Sequence, residues 1–117
     1  MSKYTTGEIA RLCNVTVRTV QYYDSRNLLV PSELSEGGRR LYSEEDLHKL
    51  KAVCFLMNIG LPIGSICELF EEENKEEVLA ILLLKQEEAL KKEIKERQEK
   101  LLALGAMEKD LKGMGHF

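Results

Sequence analysis

No apolar run in the 117-residue sequence approaches the ~20 residues needed to cross a bilayer, and the start, Met1-Ser2-Lys3-Tyr4-Thr5-Thr6, lacks the apolar core of a signal peptide. A membrane partner is therefore excluded, and a cytoplasmic protein is expected. Cysteine is sparse: Cys13, Cys54 and Cys67 are an odd set without CxxC spacing, which predicts reduced thiols and not a disulfide framework. Histidine is sparser still, with His48 and His116 alone. With no Ser/His/Asp arrangement, no phosphate-binding glycine loop and no cluster of metal ligands, the sequence predicts neither an enzyme nor a bound cofactor or metal. Two prolines and eight glycines argue against low complexity.

What is present suits a helical protein: 44% hydrophobic and 32% charged residues, in a length that accommodates one small domain with an appendage. The net charge of −3 is unevenly placed. Residues 1–60 carry eight Lys/Arg against seven Asp/Glu, a net +1, and residues 61–117 carry nine against thirteen, a net −4. Within 11–42 five arginines face three acids, a modest cationic bias whose value depends on the arginines sharing one face.

Thr5 followed by Glu8 fits a capping box, and Ile9, Leu12 and Cys13 at helical spacing predict a short first helix through about Cys13. After a turn at Asn14-Val15-Thr16, Thr16 caps a second helix to about Arg26, with Val17, Val20 and Tyr23 inward and Arg18, Thr19, Gln21 and Tyr22 outward. Two short helices joined in this way make a helix-turn-helix. Leu28-Leu29-Val30 before Pro31, then Gly37-Gly38, then Arg39-Arg40-Leu41-Tyr42, predict a two-stranded wing turning on glycine. Ser43, with Asp46 at the box position, caps a third helix whose apolar line is Leu47, Leu50, Cys54 and Met57 and which Gly60 ends. Pro62 suits the first turn of a fourth helix, to about Phe70, with Ile63, Ile66, Leu69 and Phe70 inward.

From Lys75 to about Leu111 no proline interrupts a Leu-, Glu-, Lys- and Ala-rich stretch, which predicts one helix of ~37 residues and ~55 Å, too long to pack on a small head. Leu83, Leu90, Ile94, Leu101, Leu104 and Leu111 follow alternating spacings near three and four, the dimerisation seam of a coiled coil. Glu87, Arg97 and Glu108 hold other seam positions, where they weaken the seam but can fix register or direction if Arg97 meets a carboxylate of a partner. The fold class predicted is mainly all-α: a winged helix-turn-helix head with a small two-stranded wing over 1–72, a dimerising coiled-coil helix over 75–112 and a flexible tail over 113–117.

The string Val17-Arg18-Thr19-Val20-Gln21-Tyr22-Tyr23-Asp24, continued by Leu28 and by Gly38-Arg39-Arg40-Leu41-Tyr42-Ser43, resembles the MerR family of bacterial transcription regulators from about Tyr4 to Leu69. The resemblance implies a homodimer whose long helices pair antiparallel and place two heads on successive major grooves of a near-palindromic promoter operator. It also implies bending and untwisting of double-stranded DNA so that RNA polymerase can engage. Carried over by position, Thr16, Arg18 and Thr19 approach base edges or nearby phosphates, Tyr22 and Tyr23 form the family's tyrosine pair, Arg40 grips a phosphate from the wing, and Tyr42 is the wing aromatic. Gln21 stands where arginine or histidine is common and Arg39 where an aromatic is common, so both can change which bases or phosphates are touched. Pro62 falls in a stretch usually free of proline.

The lesser readings are that Arg18 to Tyr23 is an ordinary solvated helix face and that Arg39 and Arg40 are hairpin cations. Cys54 sits on an apolar face as a small hydrophobe, while family members that sense electrophiles or oxidants use a lone cysteine in this region, which needs a lowered pKa that Lys49 or Lys51 can supply. Metal-sensing members place cysteines after the long helix, and no cysteine follows Cys67 here, with His116 alone available beyond that helix, which disfavours thiolate-based metal sensing. Drug-sensing members carry a large effector domain where this sequence ends, which leaves a partner, Cys54, the tail or a longer parent chain to bring the signal. The competing class is a coiled-coil adaptor, or an architectural binder such as an excisionase; the long seam disfavours the second and the wing arginines the first.

Overall fold

In the computed structural model, which describes residues 3–114, three helices stop in the same way. The first, α1 (Thr6–Leu12), runs into Asn14 at φ 55°; α2 (Val17–Ser25) into Asn27 at φ 57°; and α3 (Glu44–Asn58) into Gly60 at φ 94°. Each left-handed residue reverses the chain so that the next N–H donates back five residues: Val15 to the Ala10 carbonyl at 2.9 Å, Leu28 to Tyr23 at 2.9 Å and Leu61 to Leu56 at 3.1 Å. This satisfies carbonyls that a helix end orphans, and it turns an apolar side chain inward. Leu28 and Leu61 are core residues as a result.

The helix starts follow side-chain chemistry. The Thr5 and Ser43 hydroxyls accept from the backbone N–H of Glu8 and Asp46, whose carboxylates accept from the cap residues' own N–H. Thr16 caps α2 by accepting from Thr19 N–H at 3.1 Å. Pro62 is the cap residue of α4 (Ile63–Glu71) and makes no side-chain cap bond.

The expected two-stranded wing is a three-stranded antiparallel sheet. β1 (Lys3–Thr5) joins β2 (Glu33–Leu34) and β3 (Arg40–Ser43) in the order β1-β3-β2, with Tyr4 opposite Tyr42 and Leu34 opposite Arg40. Lys3 and Glu33, on the strands flanking β3, form an ion pair. The wing turns at Ser35, whose carbonyl accepts from Gly38 N–H while its N–H donates to Arg39; Gly38 has φ 80°, which glycine adopts without the cost other residues bear. Leu28 and Leu29, expected in a strand, instead plug the core, because after Asn27 both of their N–H groups donate to the Tyr23 carbonyl.

Ile9, Val20, Leu29, Leu50, Val53 and Ile66 are the small fully buried heart of the head. In α3 the buried line is Leu47, Leu50, Val53 and Leu56, stepping by three, and not the line through Cys54 and Met57 that the four-residue step suggested. Rows of residues three apart form one of the two natural ridge directions of a helix, and α4 packs against α3. Val17, expected inward, and Leu12 are exposed.

The chain divides into two compact units, one ending at Val78 and the other beginning at Leu79, so the head unit extends past the expected boundary at residue 72 into the long helix. That helix, α5 (Lys75–Met114), is longer than expected and takes in residues 113 and 114 of the expected tail; residues 115–117 lie outside the described residues. Its apolar residues Leu83, Leu90, Ile94, Leu101, Leu104 and Leu111 are between 37% and 67% exposed.

Because Leu50 is fully buried, Leu50→Ala should lower unfolding stability by about 2–5 kcal/mol, and Ser43→Ala, which loses the α3 cap, by about 1 kcal/mol. Urea denaturation followed by circular dichroism checks both, and a Leu50→Ala cost below that of Ser43→Ala would contradict this core.

Candidate nucleic-acid interface

Helix α2 presents its first turns to solvent. Thr16, Arg18, Thr19, Tyr22, Tyr23 and Met57 line one open concavity of about 400 Å³, so five of the nine residues expected to form the site are brought together. Gln21 is exposed on the same helix but outside this concavity. Met57 is 39% exposed; it had been read as core, and the three-residue drift of the α3 core line is what frees it.

The polar groups here are already engaged with one another. The Thr16 and Thr19 hydroxyls lie 2.9 Å apart while Thr16 caps the helix, so Thr16 serves the backbone as well as the surface. Arg26 Nη1 donates to the Tyr22 hydroxyl at 3.4 Å, one helical turn away, and the Tyr22 and Tyr23 rings are tilted by 50° with centroids 6.0 Å apart. Tyr22 is 46% exposed, whereas Tyr23 is buried and only its edge reaches the concavity.

The wing contributes a second concavity of about 360 Å³, lined by Thr5, Thr6, Gly7, Gly38, Arg39 and Arg40. Between the two stands Asp24, whose carboxylate takes Arg40 Nε at 2.9 Å and ties β3 to the end of α2. Asp24 is largely shielded and Arg40 half-exposed, so the pair anchors one edge of the guanidinium and leaves the terminal nitrogens able to donate outward. Asp24, Arg26 and the Thr5–Gly7 segment were missed as site residues. The four-residue spacing of Tyr22 and Arg26 was a readable signal, whereas the Asp24–Arg40 pair joins elements that only the fold brings together. The larger concavity of about 610 Å³ at the sheet edge is lined by Glu33, Glu44 and Glu45 beside a single lysine, Lys3, and suits a polyanion poorly.

Tyr42 is a correction. It is 1% exposed, and its hydroxyl is buried without a hydrogen bond of good geometry among the described residues. Burial pushes its pKa up, and a nearby Thr6 hydroxyl offsets part of this. Tyr42 is turned to the core, Arg40 two residues earlier on the same face of β3 stays at its edge and reaches Asp24, and Leu41 and Ser43 are half-buried on the other face, so the part of Tyr42 is to hold β3 in place. Cys54 is half-buried, and burial first, then the neighbouring Cys13, push its thiol pKa up. The lysines expected to activate it act elsewhere: Lys49 lies 4.8 Å from the centre of the Phe70 ring, and Lys51 partly offsets the upward shift that burial causes at Cys13. Groups of three or more metal-ligating side chains are absent among the described residues, and no helix is long and apolar enough to cross a membrane.

A capped helix-turn-helix, a wing pinned to its second helix, and a long helix with an apolar stripe define the winged helix-turn-helix class. The family model described as MerR HTH family regulatory protein matches residues 4–73, and the chain belongs to the MerR family. It is 41% identical over 69 residues to the HTH-type transcriptional activator TipA of Streptomyces coelicolor, covering 59% of this chain and 27% of that one. It is 35% identical over 100 residues to the HTH-type transcriptional activator Mta of Bacillus subtilis, covering 86% of this chain and 38% of that one. The crystal structure of MtaN, the N-terminus of that multidrug transporter activator, superposes with a TM-score of 0.79 at 32% identity, over 89% of this chain and 96% of that one. HiNmlR, a MerR family regulator lacking the sensor domain and solved bound to promoter DNA, matches with a TM-score of 0.64 at 27% identity, over 98% of this chain and 97% of that one. The chain thus spans well under half the length of the curated relatives TipA and Mta.

The thiols of Cys13 and Cys54 and the phenols of Tyr23 and Tyr42 all have raised pKa values, chiefly through burial. The folded state therefore keeps protons that the unfolded chain gives up, and stability should be level near neutrality and fall as pH climbs through the ordinary values of 9.0 and 10.0. Urea midpoints from pH 7 to 10.5 test this; a midpoint that rises across that range contradicts it. In the same range, alkylation of Cys54 by iodoacetamide at pH 7 should be slower than that of an unhindered thiol of pKa ~8.5.

Proposed function

We propose that this chain acts as a DNA-binding transcription regulator of the MerR type, which binds a near-palindromic promoter operator as a homodimer and acts by distorting the double-stranded DNA between its half-sites. The observation that carries the reading is the pairing of two surfaces. The N-terminal face of α2 gathers Thr16, Arg18, Thr19 and Tyr22, and Asp24 holds Arg40 of the wing beside it. A helix of this size, offering side chains and N-terminal N–H groups together, suits the major groove, and a flanking cation suits the adjoining backbone.

Arg18, exposed in the first turn of α2, is assigned to base edges with Thr16 and Thr19. Tyr22, Arg39 and Arg40 are assigned to phosphates, with Gln21 at the margin and Tyr23 and Tyr42 supporting from within. Dimerisation is assigned to the α5 stripe through Leu83, Leu90, Ile94, Leu101, Leu104 and Leu111, large apolar side chains exposed at coiled-coil spacing. The names of TipA and Mta as transcriptional activators and the promoter DNA bound to HiNmlR support the same reading, and RNA polymerase is then engaged indirectly, through the shape of the promoter. Cys54, with its thiol held in the protonated form, serves as packing.

The test is footprinting and affinity on the chain's own promoter across a salt series. Arg18→Ala should cost about 1–3 kcal/mol and relax sequence preference, while Arg40→Ala should weaken all sequences alike and lower the slope of log affinity against log salt by about one. No protection of an inverted repeat at low salt would transfer the assignment to a protein-binding coiled-coil adaptor.

A further inference from the structure

The α5 seam contains three charged positions among its leucines, Glu87, Arg97 and Glu108, and their spacing restricts how a second copy can lie against it. A parallel, in-register pair would set each of the three against itself, Glu87 on Glu87, Arg97 on Arg97 and Glu108 on Glu108, three like-charge layers inside an apolar seam. In an antiparallel pair each seam residue faces one of the other set in the partner, and the possible registers differ in where the two-fold axis crosses the helix.

With the axis between Glu88 and Ala89, Glu87 lies on Leu90 of the partner subunit. With the axis between Lys95 and Glu96, Leu83 lies on the partner subunit's Glu108 and Ile94 on the partner subunit's Arg97. With the axis at Glu99, Leu90 lies on the partner subunit's Glu108 and Arg97 on the partner subunit's Leu101. Each of these buries an unpaired charge against leucine or isoleucine, which costs far more than a mismatched apolar contact. With the axis at Lys92 every layer from Ala80 to Leu104 matches: Leu90 faces Ile94 of the partner subunit, Glu87 faces the partner subunit's Arg97, Leu83 faces the partner subunit's Leu101 and Ala80 faces the partner subunit's Leu104, while Glu108 and Leu111 fall opposite the partner subunit's Glu76 and the partner subunit's Glu73 only at the solvated ends of the pair. Each layer occurs twice by symmetry. One other register, with the axis between Leu102 and Ala103, also matches charge by setting Arg97 on the partner subunit's Glu108, but its matched layers cover only about 94–111 and leave Leu83 and Leu90 without facing layers.

Within the antiparallel homodimer that the family resemblance implies, we propose that the two-fold axis lies at Lys92 and that reciprocal Glu87–Arg97 pairs between the subunits fix this register. The inference rests on the homodimer reading above and adds its register. Glu87 already holds Lys91 of its own helix at 3.0 Å, so the partner subunit's arginine completes a three-charge chain on the seam edge, and both lobes of the apolar stripe, Leu83–Ile94 and Leu101–Leu104, are covered together. The polar pairs add less to affinity than to choice, since they make the other registers costly.

Sedimentation equilibrium of the whole chain provides the test. Glu87→Lys and Arg97→Glu should each weaken the dimer by about tenfold or more, and the double variant Glu87→Lys/Arg97→Glu should return it to within about threefold of the parent. Rescue of Arg97→Glu by Glu108→Lys instead, or single reversals without effect, would overturn the register while leaving the homodimer standing; a parent chain that sediments as a monomer at tens of micromolar would overturn the homodimer reading itself. A spin label at Lys85→Cys, with Cys13, Cys54 and Cys67 changed to Ala, reads the axis without touching the charges. At ~1.5 Å per residue the two labels should be offset by about 21 Å along the helices, against about 52 Å for an axis between Leu102 and Ala103.

Discussion

Three left-handed residues, Asn14, Asn27 and Gly60, set the course of the chain as it leaves α1, α2 and α3, and the surface that α2 leaves exposed follows from them. Asn14 decides how α2 leaves α1, and so which side of α2 is buried through Val20 and Tyr23 and which is left for Arg18 and Tyr22. Asn27 stops α2 and sends Leu28 and Leu29 into the core, which brings the chain round to the wing. Gly60 does the same for Leu61 and α4. In a head with so few fully buried side chains, turns that also deliver a leucine to the core carry a large share of both shape and stability.

The second organising contact is the Asp24–Arg40 ion pair. Exposed ion pairs contribute little to stability, so its importance lies in geometry: a short strand and a short helix, each free to shift, are brought to a fixed separation, with an arginine oriented at the join. Asp24 also trims the cationic character of the interface. On the proposed reading, recognition then rests on where Arg18, Arg39 and Arg40 stand, in keeping with a first half whose net charge is only +1.

Helix starts and stops were legible because caps are local chemistry: Thr5 with Glu8, Thr16, and Ser43 with Asp46 do what their spacing announces. The second helix and its outward residues were legible for the same reason. What was misread depended on partners distant in sequence. β1 is a strand only because β3 lies beside it, and Leu28–Leu29 looked like a strand because a short apolar run carries no periodicity to distinguish strand from plug. The α3 core line runs through Val53 and Leu56 and not through Cys54 and Met57 because the elements packed against α3, β3 and α4 among them, decide which ridge is covered. Tyr42 was placed at the interface by resemblance, and alternation alone does not correct this because exposed Arg40 shares its strand face; the packing of β3 on the head covers Tyr42 and leaves Arg40 at the edge. Lys49 and Lys51 are neighbours of Cys54 in sequence, but in the fold Lys49 lies over Phe70 and the charge of Lys51 acts on Cys13, which sequence spacing does not reveal.

On the proposed reading, the polar seam of α5 and the small cationic face of α2 are two parts of one solution. A single head with so few phosphate-directed cations binds DNA weakly, and only the joining of two heads converts the second contact into an intramolecular one with a high effective concentration. That gain exists only if the heads are held at a spacing commensurate with the ~34–36 Å turn of the duplex, so the register of the helix pair matters more than its strength. An all-leucine seam would hold two copies more tightly but would let them slide by a heptad, moving the heads apart by ~10 Å or more at ~1.5 Å per residue. Charges at seam positions exchange some dimer affinity for a single spacing, and the operator is then selected by a distance set far from any base.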